Sequence, residues 1–422
     1  MITRVEVLSY KCLRYISQPL RRFQVLIGPN ASGKSTFLDV LTFLRDLLWQ
    51  GVEPAVRERA RQLEELLWRR EGNAFELAID MRLPEGLTER LKDPKDSAHY
   101  PYVRYEVRVG RREDGSIGLL AENFWLLKES AVHSKGEPKR QLPLFPQDLL
   151  PPPTIMIEPG KHTPPGWRKI MMRTPEGRVY IRSETTDWNF PLRPPSGKAG
   201  LMAVPEEEDR FGATVWTRRV LSEGIQLLQL NSRLMRPPCS PDAPVSFQPD
   251  GSNLPILLQR LSQDRLQHWV DHVRTVLPDI KTIRVAEREE DRHRYIEVEF
   301  CSGLKLPSWL LSDGTLRFFA LTLLAYLPEA DRIYLIEEPE NGIHPRAAEA
   351  VYQSLSSAYA GQVLCATHSP VFLNLAEPKD LLCFARTESG ATDIVSGDRH
   401  PRLQEWRREV SLGDLLASGI LG

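Results

Sequence analysis

Residues 28 to 35 read GPNASGKS, and their flanks restrict what the chain can fold into more than any other feature. Before them, FQVLI at 23 to 27 is continuously apolar, as a strand buried on both faces must be. After Lys34, FLDVLTFLRDLLW carries apolar residues at helical spacing. Strand, glycine-bounded turn and helix, in that order, is the setting that the pattern GxxxxGK[ST] requires. The glycines let the backbone curl until successive N–H groups point at phosphate oxygens, and the helix N-terminus adds partial positive charge. The candidate nucleotide-binding residues are therefore Gly28, Pro29, Asn30, Ala31, Ser32, Gly33, Lys34, Ser35 and Thr36. Lys34 would reach the β and γ phosphates, and the Ser35 hydroxyl would ligate Mg²⁺. A ligand-free turn has no use for Lys followed by Ser there, whereas Thr36 adds little, hydroxyls being common in first helical turns.

Composition bounds the rest. With 55 Lys+Arg against 56 Asp+Glu, the formal charge of -1 excludes a histone-like basic protein or an acidic tail. A chain of 422 residues, 41% hydrophobic and 26% charged, has core enough for two or three domains. Five scattered cysteines form no CxxC or Cys/His spacing, against a disulfide framework or zinc site. Arg4, Glu6 and Lys11 interrupt any signal-peptide run, and FFALTLLAYLP at 318 to 328 is well short of a spanning helix, so the expectation is a soluble cytoplasmic protein with no membrane partner. Proline is the one excess, with 13 of 34 lying between 138 and 195, among them Pro151 to Pro153. That stretch also holds Trp167, Ile170, Met171, Tyr180, Trp188 and Phe190, so a partly ordered insertion with short hairpins is expected rather than a linker. YVRYEVRVG at 102 to 110 alternates like a strand with one wet face, and NLPILLQRLSQDRLQHWVDHVRTVL, from Asn253, has helical periodicity.

Three further motifs stand in the last third. IYLIEEPENGIHP at 333 to 345 describes a buried strand ending in two acids, where ligands collect in open α/β sheets. Glu337 would hold the Mg²⁺ shell and Glu338 would orient and deprotonate the attacking water. Neighbouring strand residues point to opposite faces, so the two can serve one site only if the strand ends there, as Pro339 indicates. LSDGTLRFFALTLL, from Leu311, places Ser312 and Gly314 at a helix N-terminus, which could bind an anion or be an ordinary cap. CATHSP ends an apolar strand with His368, alone a commonplace polar residue.

Order and spacing bind these pieces together: 26 residues separate Ser312 from Glu338 and 30 separate Glu338 from His368, room for one helix and one strand each time. The set resembles the ABC-type ATPase heads of the RecF, SMC and OLD group, over roughly 1 to 50 and 250 to 400. By that resemblance GPNASGKS is Walker A, LSDGT the signature, LIEEPE the Walker B, ENGIHP the D-loop and ATHSP the switch-histidine loop. The resemblance implies an α/β fold: a P-loop head with a mixed, largely parallel sheet, interrupted by a proline-rich α+β lid. It divides the chain into 1–95, 96–250 and 251–422. It also implies ATP and Mg²⁺ as cofactors, with Lys34, Glu338 and His368 catalytic and Ser35 and Glu337 at the metal. ATP would be sandwiched in a homodimer, Lys34 and Ser35 of one copy facing Ser312 and Gly314 of the other.

Departures refine the expectation. Glu337 stands where the group usually has Asp, and no glutamine is assigned to the Q-loop. The absence of long heptads argues against a coiled-coil rod, and the 54 residues after His368 carry no DxD cluster of a TOPRIM nuclease. The leading functional expectation is an ATPase sensor or scaffold of prokaryotic antiviral defence, working beside a separate effector such as a nuclease or toxin. The alternatives are a DNA-activated repair ATPase and a nucleotide-bound assembly module that scarcely hydrolyses. Arg168, Lys169, Arg173, Arg178, Arg182, Arg193 and Lys198, interleaved with aromatic rings, could face nucleic acid or simply snorkel over apolar packing.

Overall fold

The computed structural model describes the chain except for residues 94–96, 135–143, 158–162, 187, 196, 329, 405–410 and 419–422. Parts of the proline-rich stretch, 138–143 and 158–162, thus lie outside the described residues.

The chain opens with β1 (Ile2–Tyr10), reverses at Lys11 into β2 (Leu13–Pro19), and enters β3 (Phe23–Ile27), all five residues of which are buried. After the 28–33 turn comes α1 (Lys34–Trp49), the long helix the spacing predicts. β4 (Ala74–Arg82), β5 (Tyr102–Arg111), β6 (Ile117–Leu127), β7 (Trp167–Arg173), β8 (Val179–Arg182) and β9 (Asn189–Leu192) join the first two strands in an eight-stranded antiparallel sheet, ordered β2-β1-β4-β5-β6-β7-β8-β9.

β3 belongs to a different sheet. With β10 (Ile225–Leu228), β14 (Ile333–Glu337), β15 (Gln362–Ala366), β16 (Leu381–Arg386) and β17 (Thr392–Ser396) it forms the order β10-β14-β15-β3-β16-β17, parallel except for the last pair. β11 (Ile280–Glu287), β12 (Arg294–Phe300) and β13 (Lys305–Pro307) make a third, small sheet. The divisions expected at 96 and 250 thus fall beside shared sheets: β5 to β9 extend the sheet that β1, β2 and β4 begin, and β10 lies next to β14.

The parallel strands are apolar throughout because each face meets its own core. Leu26, Leu335 and Leu364 pack with Phe37, Leu41 and Leu44 of α1 and with the antiparallel sheet. Their neighbours Val25, Ile27, Ile336, Val363 and Cys365 pack on the other side with α4 (Asp313–Leu323) and α5 (Pro345–Ser356). The run beginning at Asn253 is two helices rather than one, α2 (Leu254–Arg260) and α3 (Gln263–Val276), because Ser262 turns extended and its hydroxyl caps the Arg265 N–H.

The wet face expected for β5 is not wet. Arg104 and Glu106 are fully buried, and Arg104 joins Glu106 at 2.6 Å, Asp80 at 2.9 Å and Glu6. Residues 154–157 cover this polar face: the Ile155 N–H donates to Glu76 at 2.7 Å, Arg104 donates to the Ile155 carbonyl at 3.0 Å, and Asn123 to the Ile157 carbonyl at 3.0 Å. Alternation shows which residues share a face; it cannot show that a proline-rich segment returns to bury that face with its charges paired. The hairpins expected in that stretch are present, but β7 and β8 also bury Ile170, Met171, Val179 and Ile181 in the main core.

Candidate nucleotide site

The parallel strands end on one edge, and every motif after an apolar strand is delivered there. Between β3 and α1, Gly28 at φ 143° and Gly33 at φ 104° take conformations that L side chains resist. A Cβ at Gly28 would lie 2.2 Å from the Phe384 carbonyl oxygen, and one at Gly33 would lie 2.3 Å from the Thr392 hydroxyl, so both glycines are also required by contact. Thr392 clamps the loop, its hydroxyl donating to the Ser32 carbonyl at 2.9 Å.

Lys34 Nζ donates to the carbonyls of Gly28 at 2.7 Å and Pro29 at 2.9 Å. Burial draws its ammonium down to about 8, against the opposing pull of Glu337 and Glu338. Ser35 Oγ donates directly to Glu337 Oε1, joining the Walker A loop to the end of β14. β14 stops at Glu337, and Glu338 stands at φ 50°, so the period-2 alternation is broken and both acids serve this edge. The Glu338 N–H donates to the Ala366 carbonyl at 2.7 Å, and Asn341 Nδ2 donates to its carboxylate.

Asn30 through Thr36, Glu338 and His368 line one cavity of about 510 Å³, together with Lys11, Cys12 and Arg386. His368 is exposed overall, yet partial desolvation of its ring and the Lys34 charge hold the imidazole below the usual range, against the opposing pull of Glu338 and Glu340. Ser312 and Gly314 are not part of that cavity. Ser312 is exposed and caps α4 by accepting the Thr315 N–H at 3.1 Å, and a Cβ at Gly314 would lie 2.6 Å from the Gly342 carbonyl oxygen in the D-loop. Ser35 and Glu337 are oxygen donors of the kind Mg²⁺ takes, and no group of three or more metal-ligating side chains exists among the described residues. That set fits a cation whose shell is completed by phosphate oxygens and water.

Sequence reasoning passed over two connections. Gln229, directly after β10, lines a second cavity of about 480 Å³ with Asn231, Arg317, Glu337 and Glu338. Only the β10–β14 pairing, with Leu228 beside Ile336, puts it there, and nothing in SEGIQLLQLN marks it. Thr367 donates to Glu340 at 2.5 Å and accepts the Ser369 N–H at 2.9 Å, tying the D-loop to the switch loop. Of the cations considered for nucleic acid, Arg173 is committed to Glu122 at 3.0 Å, Lys169 lies over the Trp125 ring and Arg168 donates to the Ser183 carbonyl.

A parallel sheet that delivers the Gly28–Ser35 turn, the two acids after β14 and His368 to one edge has the fold of an ABC-type ATPase head. The family model described as "AAA domain, putative AbiEii toxin, Type IV TA system" matches residues 23–88 and 167–374, and the chain belongs to that family. Among solved structures it is similar to an SMC head bound to the C-terminal winged-helix domain of ScpA, with 14% identity, a TM-score of 0.51, and coverage of 93% of this chain and 96% of that one. It is also similar to the SMC head of Pyrococcus furiosus with an extended coiled coil, bound to the C-terminal domain of ScpA, with 13% identity, a TM-score of 0.50, and coverage of 96% and 98%. No curated protein matches the sequence. Among the described residues no helix is long and apolar enough to cross a membrane.

Proposed function

We propose that this chain binds and hydrolyses ATP between two copies of itself, and that opening and closing of the pair is a switch in prokaryotic antiviral defence, beside a separately encoded effector. The observation that carries the nucleotide reading is the contact of Ser35 with Glu337 at the cavity that Lys34, Glu338 and His368 line. On nucleotide binding, Lys34 would exchange the Gly28 and Pro29 carbonyls for the β and γ phosphates, and Ser35 and Glu337 would hold Mg²⁺, which when bound would neutralise phosphate charge. Glu338 accepts a proton from the attacking water as the water oxygen bonds to the γ phosphorus and the bond to the β–γ bridging oxygen breaks. His368 orients that water or donates to a γ-phosphate oxygen, and Gln229 lines the cavity on the Glu337 side. Ser312, exposed and away from its own P-loop cavity, is free to meet the phosphates of a second copy. The description of the family as a toxin of a type IV TA system supports a partnered role, with residues 96–250 the surface that sets the partner.

Light scattering and phosphate release of Glu338→Gln, with and without ATP and Mg²⁺, test this. The variant should lose turnover by ~10²-fold or more and form an ATP-dependent dimer. A wild type that releases no phosphate and behaves like the variant would instead make the protein an assembly module.

A further inference from the structure

The sheet order fixes which way a nucleotide lies. Glu338 and His368 follow β14 and β15, on one side of β3, so the γ-phosphate end points there. With those two residues at the γ-phosphate as proposed above, the nucleoside end falls on the opposite side, toward β16, β17 and the Lys11–Cys12 turn, whose Cys12 carbonyl accepts the Thr392 N–H at 2.9 Å.

Three Lys or Arg side chains reach the P-loop cavity. Lys34 serves the phosphates, and Lys11 is neutralised by Asp39 at 2.5 Å. The third is Arg386, exposed at the end of β16 directly across from Thr392, the residue that clamps the P-loop. The Arg386 side chain makes no hydrogen bond or ion pair among the described residues. Its guanidinium lies 3.3 Å from where a Cβ on Gly390 would stand, and Arg386 also borders a neighbouring cavity of about 810 Å³. Asp148, which lines that second cavity, is occupied by the hydroxyls of Thr387, at 2.6 Å, and Ser389. An arginine left unpaired at the nucleoside end offers a planar cation of the kind that stacks on a base and donates to ribose oxygens.

We propose that Arg386 contacts the base and ribose of the bound nucleoside triphosphate and gives the site its preference for a nucleotide over bare polyphosphate. This rests on the P-loop reading above, so the test separates the two. Calorimetric titration with Mg·ATP and with magnesium tripolyphosphate should show Arg386→Ala losing affinity for ATP on the order of 10-fold while binding tripolyphosphate as the wild type does. Arg386→Lys, which keeps the charge but not the plane, should recover only part of the loss. Equal loss for both ligands would mean a disturbed P-loop, and either unchanged ATP affinity in Arg386→Ala or full recovery in Arg386→Lys would equally overturn the assignment. Should Arg386→Ala not fold, Arg386→Gln gives the same comparison. Lys34→Ala, by contrast, should weaken both ligands, and if it weakens neither, the P-loop reading itself is what fails.

Discussion

Lys34 carries a tension that pH exposes. Its ammonium, ordinarily protonated to 10.5, is drawn down to about 8 because the side chain is buried against the loop carbonyls. The folded chain therefore gives up this proton before the unfolded chain does, so the cost to stability is fully present below about pH 8 and is relieved as pH rises towards 10.5. Phosphate binding wants the cation, so the affinity of the free protein for ATP should fall as pH rises from 7 to 9, measured by calorimetry in buffers of matched ionic strength. A flat profile would mean that the Lys34 ammonium of the free protein keeps its proton through pH 9 and is not drawn down by burial. At Glu338 the decisive quantity is one dihedral: φ 50° turns its carboxylate away from the strand register that Glu337 keeps. Pro339 in the sequence indicates that β14 ends, but not that the next acid enters the left-handed region to do so.

Elements hold these residues by contacts between strands far apart in sequence. The β16–β17 hairpin grips the P-loop through Thr392 and Phe384, and β10 brings Gln229 to Glu337, yet neither segment carries a motif. The signature, by contrast, is legible, and both readings of Ser312 are compatible with its place as an exposed cap of α4. The antiparallel sheet offers a separate test. Arg104 ties β1, β4, β5 and residues 154–157 together from a fully buried position, so Arg104→Ala removes the cation that Glu6, Asp80 and Glu106 share and leaves Asp80 with Arg4 at 3.6 Å. The cost should be ~3–5 kcal/mol, read as a lower urea midpoint. A loss below ~1 kcal/mol would show that the network is solvated rather than buried.

At the scale of the whole molecule, Ser312 and Gly314 stay outside the chain's own P-loop cavity, and in the proposed dimer they complete the site of a second copy. If they act across a dimer, Lys34→Ala and Ser312→Ala should each abolish turnover alone, yet a mixture should regain part of it. Mixed pairs contain one site with both residues intact. Absence of any recovery, with mixed dimers present by light scattering, would place Ser312 in a structural role as a helix cap only. The family match spans the P-loop, signature and switch regions in two blocks, 23–88 and 167–374, and the break between them falls on β5, β6 and the segment that covers the sheet's polar face.

The sequence alone determined the strand–turn–helix at Gly28 to Ser35, the acid-ended strand, the helix that Ser312 caps and the apolar strand that ends before His368, because glycine geometry, apolar periodicity and capping are local properties. The tertiary structure decided which strands lie beside β3 and β14, where Gln229 and Arg386 stand, and that the charged face of β5 is buried. Those outcomes depend on pairings between residues tens to hundreds of positions apart, whose energies are set by neighbours that no local pattern names.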